Sequence, residues 1–443
     1  MHQDRYGLPV TTASDAAAAA YRDGVDRLLA AWTGAETALE TARQEDPEFA
    51  LAHAARARLH QLYGEAAPAR AAAARARELA VHATARERRH VAIIAASVEG
   101  QPAAAIAAAE AHLDEHPRDA LILSLLLGAY GLYAFSGRPD HDTARVAICE
   151  RHARHYGDDW WFLTYLGWSH TEAGNVGAGR MVTERALERR RENAHAAHAL
   201  AHACFEQGDA EQGCAFIAGW LPNYDKAGLM NGHISWHSAL LALEADDVDG
   251  ALQIYEQRIR PPASQAPPLS VFVDGASLLW RIALRDSRPL DAHWRELAAY
   301  GDKVFPKAGA HFADMHYALV GAALGSAEAL ERRVSELEAL QAAGKLAPGA
   351  AALDLCRGIR AFAAGDYAQA IHILEPLMPE VVRIGGSGAQ RELYEDTLVV
   401  AYLRAGRGEA AARLIDRRLH RRPSARDQAW RRQAGTAALQ RAG

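Results

Sequence analysis

The chain has 443 residues, of which half are hydrophobic, and its 49 Lys and Arg against 55 Asp and Glu give a formal net charge of -6. This is the composition of a soluble protein. Basic residues are not in excess and would not attract a polyphosphate backbone, so we expect no nucleic-acid partner. The four cysteines form no Cys-x-x-Cys pair, which argues against a disulfide framework or a thiolate zinc site and favours a reducing, cytoplasmic setting.

Neither an export signal nor a membrane span is predicted. The first residues lack a basic region followed by an apolar one. The eighteen uncharged residues from Ala120 to Gly137 stand at the lower edge of membrane-spanning length. They follow a His-Pro-Arg-Asp turn of a type that recurs in the chain, so we interpret them as a buried helix and expect no membrane partner.

The dominance of Ala, Leu, Glu and Arg and the near absence of alternating β-branched runs predict an all-α fold. Turn signals recur with several spacings close to 34 residues, and the spacing from Gly174 to Gly208 equals it. This is the tetratricopeptide period, in which two antiparallel helices alternate with short turns. The turn residues are Gly64, Gly100, Gly137, Gly174, Gly208, Asp246, Gly325, Gly365 and Gly406.

Small residues and prolines recur at fixed distances after the turn residues. Alanine stands five positions after most turn residues, where two helices of a pair approach closely, and proline stands seventeen after Gly100 and Gly406. We therefore predict a right-handed α-solenoid of about ten to twelve tetratricopeptide-like helix pairs, continuous over residues 1–443. Loop insertions are expected near 260–270, where four prolines cluster, and near 383–390. The basic tail from Arg417 to Arg432 is interpreted as a solvated capping helix.

Candidate functional residues fall on the first helices of four neighbouring units. In such arrays positions 2, 5, 6, 9 and 12 of the first helix tend to face the concave groove, counting the turn residue as position 15. Histidines and a tryptophan occupy these positions in the units that turn at Gly208 and Asp246, and the next two units add a carboxylate, a hydroxyl and another imidazole. The predicted ligand-binding residues are His195, His198, His202, His233, Trp236, His237, Asp274, Ser277 and His316.

Metal binding is one hypothesis for this cluster. The pairs His198/His202 and His233/His237 have i, i+4 spacing, which places two rings on one helical face and allows both to reach one divalent metal. Asp274 or Asp314 would complete the coordination, so the predicted ligands are the two pairs with Asp274 and His316, and the predicted metal is Zn, Fe or Mn. Without metal, the same groups would serve as general acid and base. A chain with 21 histidines also produces such pairs by chance, and a structural role is the simpler explanation of any one of them.

Several of these runs resemble the tetratricopeptide repeat protein 38 family, which is found in bacteria and animals. The resembling runs are His198-Ala-Leu-Ala-His202, His233-Ile-Ser-Trp-His237, Asp274-Gly-Ala-Ser277, Asp314-Met-His316 and the N-terminal Asp4-Arg-Tyr-Gly7. The resemblance implies an α-solenoid whose histidine-bearing helices belong to the family pattern. One departure is Phe205, which stands where the family pattern leads us to expect an acidic residue, with Glu206 one place later.

Two functions remain open on sequence alone. The first is a binding module that holds a small molecule or a peptide in a His/Trp-rich groove, and the alternative is an enzyme that uses the same cluster as a metal site or as acid and base. Peptide-binding arrays usually line their grooves with Lys, Arg and Asn, whereas imidazole and tryptophan favour a neutral or metal-bound ligand. The sequence does not decide whether the protein catalyses a reaction or forms a homo-oligomer.

Overall fold

The computed structural model describes residues 2–286 and 288–442, and the side chains of residues 2–286 and 288–436. Within these residues the chain forms 23 α-helices, joined by short 3-10 segments and turns, and one two-stranded antiparallel hairpin in which His2 pairs with Val10. The all-α prediction is therefore confirmed, and successive helices pack as antiparallel pairs of the helical-repeat type. None of the described helices is long and apolar enough to cross a membrane.

The chain divides into two compact units, of which the first comprises Met1–Ser136, His141–Ala199 and Asn223–Asn231 and the second comprises the remainder. Helix α11, Ala194–Gln207, continues without a break from one to the other. The elements before it are β1 His2–Gln3, β2 Pro9–Val10, α1 Asp15–Leu29, α2 Ala35–Glu45, α3 Ala50–Leu62, α4 Ala66–Ala80, α5 Ala85–Val98, α6 Pro102–Glu115, α7 Ala120–Leu126, α8 His141–His152, α9 Trp160–Glu172 and α10 Val176–Arg189. The helices after it are α12 Ala210–Trp220, α13 Asn231–Glu244, α14 Val248–Ile254, α15 Pro268–Arg285, α16 Asp291–Val304, α17 His311–Ala323, α18 Ala327–Ala342, α19 Ala350–Ala363, α20 Tyr367–Leu377, α21 Gly388–Arg404, α22 Gly408–Arg421 and α23 Ala425–Ala442.

All predicted turn residues except Gly137 follow the end of a first helix, and all adopt the left-handed backbone region. Gly174 has φ 90° and Gly208 has φ 70°, a conformation that glycine adopts without steric cost. Asp246 adopts it as well, with φ 65°, and the guanidinium of Arg285 binds its carboxylate at 2.8 Å. A residue in the left-handed conformation therefore marks the turn of this repeat even where aspartate replaces glycine.

Close packing between the two helices of a pair depends on small residues. Helices α9 and α10 meet at Gly167 and Gly179, and a Cβ on Gly179 would lie 2.6 Å from the Gly167 carbonyl oxygen and 2.7 Å from the Thr171 backbone nitrogen. Gly179 stands five residues after the turn at Gly174, the position where the sequence predicts a small side chain. The backbones approach so closely that no side chain fits between them.

We expect the substitution Gly179→Val to lower the free energy of unfolding by about 1–3 kcal/mol, because the added atoms force the helices apart. The matched control is Gly177→Val, on an exposed part of the same helix where a Cβ would meet nothing within 4 Å. Urea denaturation followed by circular dichroism measures both variants. An equal loss in the two would show that helix propensity, rather than the close approach, sets the cost.

The structure corrects the prediction of a buried helix from Ala120 to Gly137. Helix α7 ends at Leu126, and a turn at Gly128, with φ 89°, reverses the chain so that the backbone N–H of Leu132 donates to the carbonyl of Leu125 at 2.8 Å. Only the first seven residues of the run are α-helical. Its apolar composition reflects burial, but its glycines break the helix.

The two predicted loops differ in kind. Residues 260–267 are irregular, and Pro268 is the first residue of α15, where a missing N–H has no cost. Near 383–390 the irregular segment is shorter than predicted, because a 3-10 helix runs to Ile384 and α21 begins at Gly388. Residues 385–387 are buried, and Ser387 caps α21 in a capping box with Gln390.

A network of buried charges fixes the C-terminal helices of the second unit, so the interpretation of the tail as a solvated helix is wrong over this part. Glu392 of α21 accepts hydrogen bonds from Arg418 at 3.0 Å, from Arg422 at 2.5 Å and from Arg426 at 3.0 Å. These four side chains are almost completely buried. Burial alone would raise the pKa of Glu392, but the three arginines hold it well below its usual value. The network also includes Glu244, Asp396 and Asp427.

The N-terminal hairpin is bound to helices far along the first unit. Arg5 forms ion pairs with Asp26 at 2.7 Å and Asp159 at 2.5 Å. Its guanidinium lies 4.5 Å from the centre of the Trp160 ring, and that of Arg190 lies 4.3 Å from the same ring. Two cations on one tryptophan are stable here because the two carboxylates neutralise them.

Candidate histidine-rich site

Three predicted histidines come together in the second unit. The ring nitrogens of His202 on α11 and of His233 and His237 on α13 lie within 4.8 Å of one another. The His202 and His237 rings are 4.3 Å apart between centroids, and the His233 and His237 rings are 5.0 Å apart. All three side chains are buried, with at most 5% of their surface exposed. The repeat explains the placement, because adjacent first helices present positions 9, 2 and 6 to the same space.

The ring of His233 is held in place by two neighbours. Its Nδ1 lies 2.8 Å from Oδ2 of Asp274 on α15, and the Trp236 indole stacks on it with a centroid distance of 5.2 Å and an interplanar angle of 12°. An ionised carboxylate only accepts hydrogen bonds, so it pairs with an N–H at Nδ1 of His233. This carboxylate–histidine arrangement is typical of imidazoles that bind metals.

Asp274 orients His233 through this hydrogen bond. It is not among the side chains whose ligand atoms lie within 4.8 Å of one another, and its part in a coordination sphere stays a prediction. Burial raises the pKa of its carboxyl, and the contact with His233 opposes that shift. Its Oδ1 is buried and accepts no hydrogen bond from any residue that the structure describes.

The electrostatic surroundings keep the central imidazole neutral. Burial holds the pKa of His237 well below its usual value, and the neighbouring His202, His233 and Arg281 lower it further. A neutral imidazole offers a lone pair, and it can either bind a metal ion or accept a proton. The site therefore supplies a neutral imidazole in a space from which water is largely excluded.

His198 is one helical turn before His202 on the same face of α11, as the i, i+4 spacing predicts. Its side chain is buried, with 7% exposed. Trp236 is also predicted as a groove residue, and it is fully buried against His233 rather than exposed to a groove. The residues of this site are therefore packed as a core is packed.

Three further predicted residues make contacts outside this cluster, and their ligand-binding role stays a prediction. The hydroxyl of Ser277 accepts a hydrogen bond from Arg281, one turn later on the same helix. His316 donates from Nδ1 to the carbonyl oxygen of its own helix at Phe312, at 2.7 Å, and is not among the clustered ligand atoms. His195 packs against Tyr165 of the first unit with a centroid distance of 5.5 Å.

Asp314, the other carboxylate considered as a ligand, is bound to a cation. Arg333 donates to it at 2.8 Å, and the backbone N–H of Gly309 donates at 3.0 Å. Burial raises the pKa of Asp314 to about 6, against the opposing effect of these donors. Arg333 therefore neutralises the Asp314 carboxylate, and a metal-binding role of Asp314 stays a prediction.

A second cluster of ligand-type side chains was not predicted. His90, His112 and Asp119 of the first unit have ligand atoms within 4.8 Å of one another. Arg86 donates to Asp119 at 3.0 Å, and its fixed positive charge repels a metal cation. Burial alone would raise the pKa of Asp119, but the contacts with His90, His112 and Arg86 hold it well below its usual value. This is a buried ion-pair network, and only His90, at groove position 5, carried a signal in the sequence.

No protein-family model matches the chain. Solved structures that resemble it include a monomeric mutant of IFIT1 with Gppp-AAAA, with a TM-score of 0.45, 13% identity and coverage of 99% of this chain and 98% of that chain. The human IFIT1 dimer with m7Gppp-AAAA has a TM-score of 0.45 and 12% identity, covering 95% of this chain and 97% of that chain. Yeast Tom70 has a TM-score of 0.33 and 12% identity, covering 96% of each chain. Likenesses at these scores and identities carry no conclusion about ligand or partner.

Proposed function

We propose that this helical-repeat protein binds a divalent transition metal, Zn, Fe or Mn, through ring nitrogens of His202, His233 and His237. The single observation that carries the proposal is the hydrogen bond from Nδ1 of His233 to Asp274. It orients the His233 ring at a point where two other buried imidazoles have ring nitrogens within 4.8 Å, as hydrogen-bonded carboxylates orient metal-binding histidines.

The chemistry of the donor set supports a transition metal. Neutral imidazoles suit Zn, Fe and other first-row ions, whereas Ca and Mg prefer oxygen ligands. Three imidazoles in a buried site cannot all be protonated together, and the low pKa of His237 shows the direction of that penalty. A bound cation shares their lone pairs and removes the need for protonation.

Burial of the site favours a small ligand over a peptide. The four side chains His202, His233, Trp236 and His237 are between 0% and 5% exposed. A peptide in a repeat groove needs an exposed lining against which its backbone and side chains can lie. We therefore propose that any molecule which acts at the site is small, and that the metal, when bound, supplies Lewis acidity or a binding position for it.

A metal-free enzyme is the second candidate, and the hydrogen-bonded pair of His233 and Asp274 favours it. A histidine oriented by a buried carboxylate is the arrangement that positions a general base in many enzymes. His233 would then accept a proton at Nε2 while Asp274 stabilises the imidazolium. We further propose that the chain belongs to the tetratricopeptide repeat protein 38 family, since the matching runs include the helices that carry this site.

The test is metal analysis of protein purified without a His-tag and reconstituted separately with Zn, Fe(II) and Mn(II). Wild type should hold about one ion per chain, and His202→Ala and His237→Ala should each lose it with unchanged helix content. Asp274→Asn should retain the ligands but bind about 10- to 100-fold more weakly, because the orienting partner is lost.

The control is His82→Ala, which removes an exposed histidine of the first unit and should keep full metal content. Negligible metal in the reconstituted wild type, or full metal content in the double variant His202→Ala/His237→Ala, would exclude the metal site. In the first case, loss of turnover or of small-molecule binding in Asp274→Asn would support the acid–base alternative.

A further inference from the structure

A cavity of about 390 Å³ lies among three neighbouring helices of the second unit. It is formed by α20 with the 3-10 helix that follows it, Met378–Ile384, by α21 and by α22. Helix α21 contributes Glu395, Leu398 and Tyr402, whose spacing places them on one face of the helix. The volume lies in the range of pockets that bind small molecules.

One wall of the cavity is basic. Arg413, Arg417 and Arg421 recur every four residues on α22, and all three are exposed. Arg421 is bound to Glu392 at 2.5 Å, whereas Arg413 only approaches the highly exposed Glu409 at 3.9 Å. Arg417 forms no ion pair or hydrogen bond with any side chain that the structure describes. Its donors are therefore available to a molecule in the cavity.

The neighbouring helix α21 contributes a carboxylate to the same cavity. Glu395 is half-buried, and among the described residues no cation forms an ion pair with it. Burial raises its pKa, although the charges of Arg418 and Arg421 oppose the shift. The other lining carboxylate, Glu375 of α20, accepts a hydrogen bond from the Tyr402 hydroxyl. Glu395 is therefore the carboxylate whose ionised form would gain most from a bound cation.

Apolar side chains supply the rest of the lining, chiefly Met378, Leu398 and Leu414. The cavity thus combines a guanidinium, a carboxylate and an apolar surface. Arg417 and Glu395 do not neutralise each other, since they form no ion pair although they line the same cavity. A ligand with only negative charge would meet Glu395, and one with only positive charge would meet Arg417. A molecule that carries both charges and an apolar group complements all three features.

We propose that this cavity binds a free amino acid with an apolar side chain, whose carboxylate pairs with Arg417 and whose ammonium group pairs with Glu395. The planar guanidinium offers parallel N–H donors that match the two oxygens of a carboxylate. An ammonium group is a compact donor that suits a single carboxylate oxygen. The side chain of the ligand leaves water for the surface that Leu398 and Leu414 provide. None of these residues belongs to the histidine site, so the two proposals fail separately.

The first test is isothermal titration calorimetry of the full-length protein at neutral pH with leucine, methionine and phenylalanine. At least one of these should bind. Its N-acetyl derivative, which lacks the ammonium charge, and its amide, which lacks the carboxylate, should each bind at least about tenfold more weakly, because one charged hydrogen bond is lost. Glycine has both charges but no apolar side chain, and it should also bind more weakly.

Two variants assign the two charges to their partners. Arg417→Gln should bind the amino acid at least about tenfold more weakly and should no longer discriminate against the amide. Glu395→Gln should lose affinity to a similar degree and should no longer discriminate against the N-acetyl derivative. The matched controls are Arg432→Gln and Glu328→Gln, which remove exposed charges outside the cavity. Both controls should keep the affinity and the discrimination of wild type.

Three results would overturn the proposal. The first is no binding of any of the three amino acids to wild type at concentrations up to about 10 mM. The second is binding that is unchanged in both Arg417→Gln and Glu395→Gln, because the amino acid then binds elsewhere. The third is equal binding of the amino acid and its N-acetyl derivative by wild type, which would indicate a site for an anion alone. Should one variant fail to fold, the other still tests the site, since each loses discrimination against a different derivative.

Discussion

Replacement of Glu392 by Gln is expected to lower the free energy of unfolding of the second unit by about 3–5 kcal/mol. The carboxylate accepts hydrogen bonds from Arg418, Arg422 and Arg426, all of which are buried. A neutral amide leaves these cations without most of their compensating charge, and it turns an NH2 donor toward one of them. Urea denaturation followed by circular dichroism gives the change as a shift in midpoint.

The control for this experiment is Glu409→Gln on α22, where the carboxylate is 85% exposed and lies 3.9 Å from Arg413. Its effect should stay within about 0.5 kcal/mol. The double variant Glu392→Gln/Arg422→Gln should recover part of the loss, because it removes one of the uncompensated cations. A loss below about 1 kcal/mol in Glu392→Gln would mean that water or Asp396 neutralises the arginines instead.

Stability should also fall as the pH is lowered from about 6.5 to about 4, and His316 is one identifiable cause. Burial lowers the pKa of His316 from 6.5 to about 4, although the hydrogen bond to the Phe312 carbonyl opposes the shift. Between these values the unfolded chain binds a proton that the folded chain does not. The stabilising contribution is therefore complete above pH 6.5 and is lost at about 1.4 kcal/mol per pH unit below it.

The substitution His316→Asn isolates this contribution, because asparagine can still donate to the Phe312 carbonyl but does not titrate. The slope of stability against pH between 6.5 and 4 should decrease by the equivalent of about one proton relative to wild type. His82→Asn, at an exposed site, should leave the slope unchanged. An unchanged slope in His316→Asn would show that His316 titrates normally in the folded protein.

The contribution of Glu392 belongs to a different pH window. Its pKa is held well below 4.5 by the surrounding arginines, so its stabilising effect is present above pH 4.5 and is lost only as the pH falls through the lower folded value. As the pH falls, wild type should therefore first lose the stability that depends on neutral histidines, and then the stability that depends on ionised carboxylates. The Glu392→Gln variant should lose the lower part of this dependence.

The helix pairs and their turns were predictable because both depend on local chemistry. A left-handed residue is needed at each turn and a small one where helices touch, and Gly174 and Gly179 satisfy these needs at fixed spacing. The run after Leu126 was not predictable from composition, since an apolar segment is buried whether it is helical or not. Only the conformation at Gly128 distinguishes the two cases.

The site was predictable in part, because position in the repeat determines which face a residue occupies but not which partner it finds. His202, His233 and His237 lie where their positions place them. Ser277 has a groove position as well, but Arg281 on the same helix binds its hydroxyl. Asp274 is predicted as a ligand, and only the distance to His233 reveals its hydrogen bond to that imidazole.

The buried arginines of the tail show a further limit of sequence reasoning. Arg418, Arg422 and Arg426 recur every four residues and look like a solvated helical face. Their acidic partners come from Glu392, about thirty residues earlier, and from Glu244, which is far more distant. No local property of the segment identifies these partners, so a buried network and an exposed stripe have the same sequence signature.

The attachment of the N-terminal hairpin has a consequence for synthesis on the ribosome. Arg5 is synthesised well before its partners Asp159 and Trp160, which emerge only after most of the first unit has been synthesised. At about 5–20 residues per second, this interval is roughly ten to forty seconds. During that time the residues around Arg5 are accessible to proteases and chaperones. An N-terminal fusion that hinders their late docking would disturb the packing of α9 and α10 rather than the structure at the point of fusion.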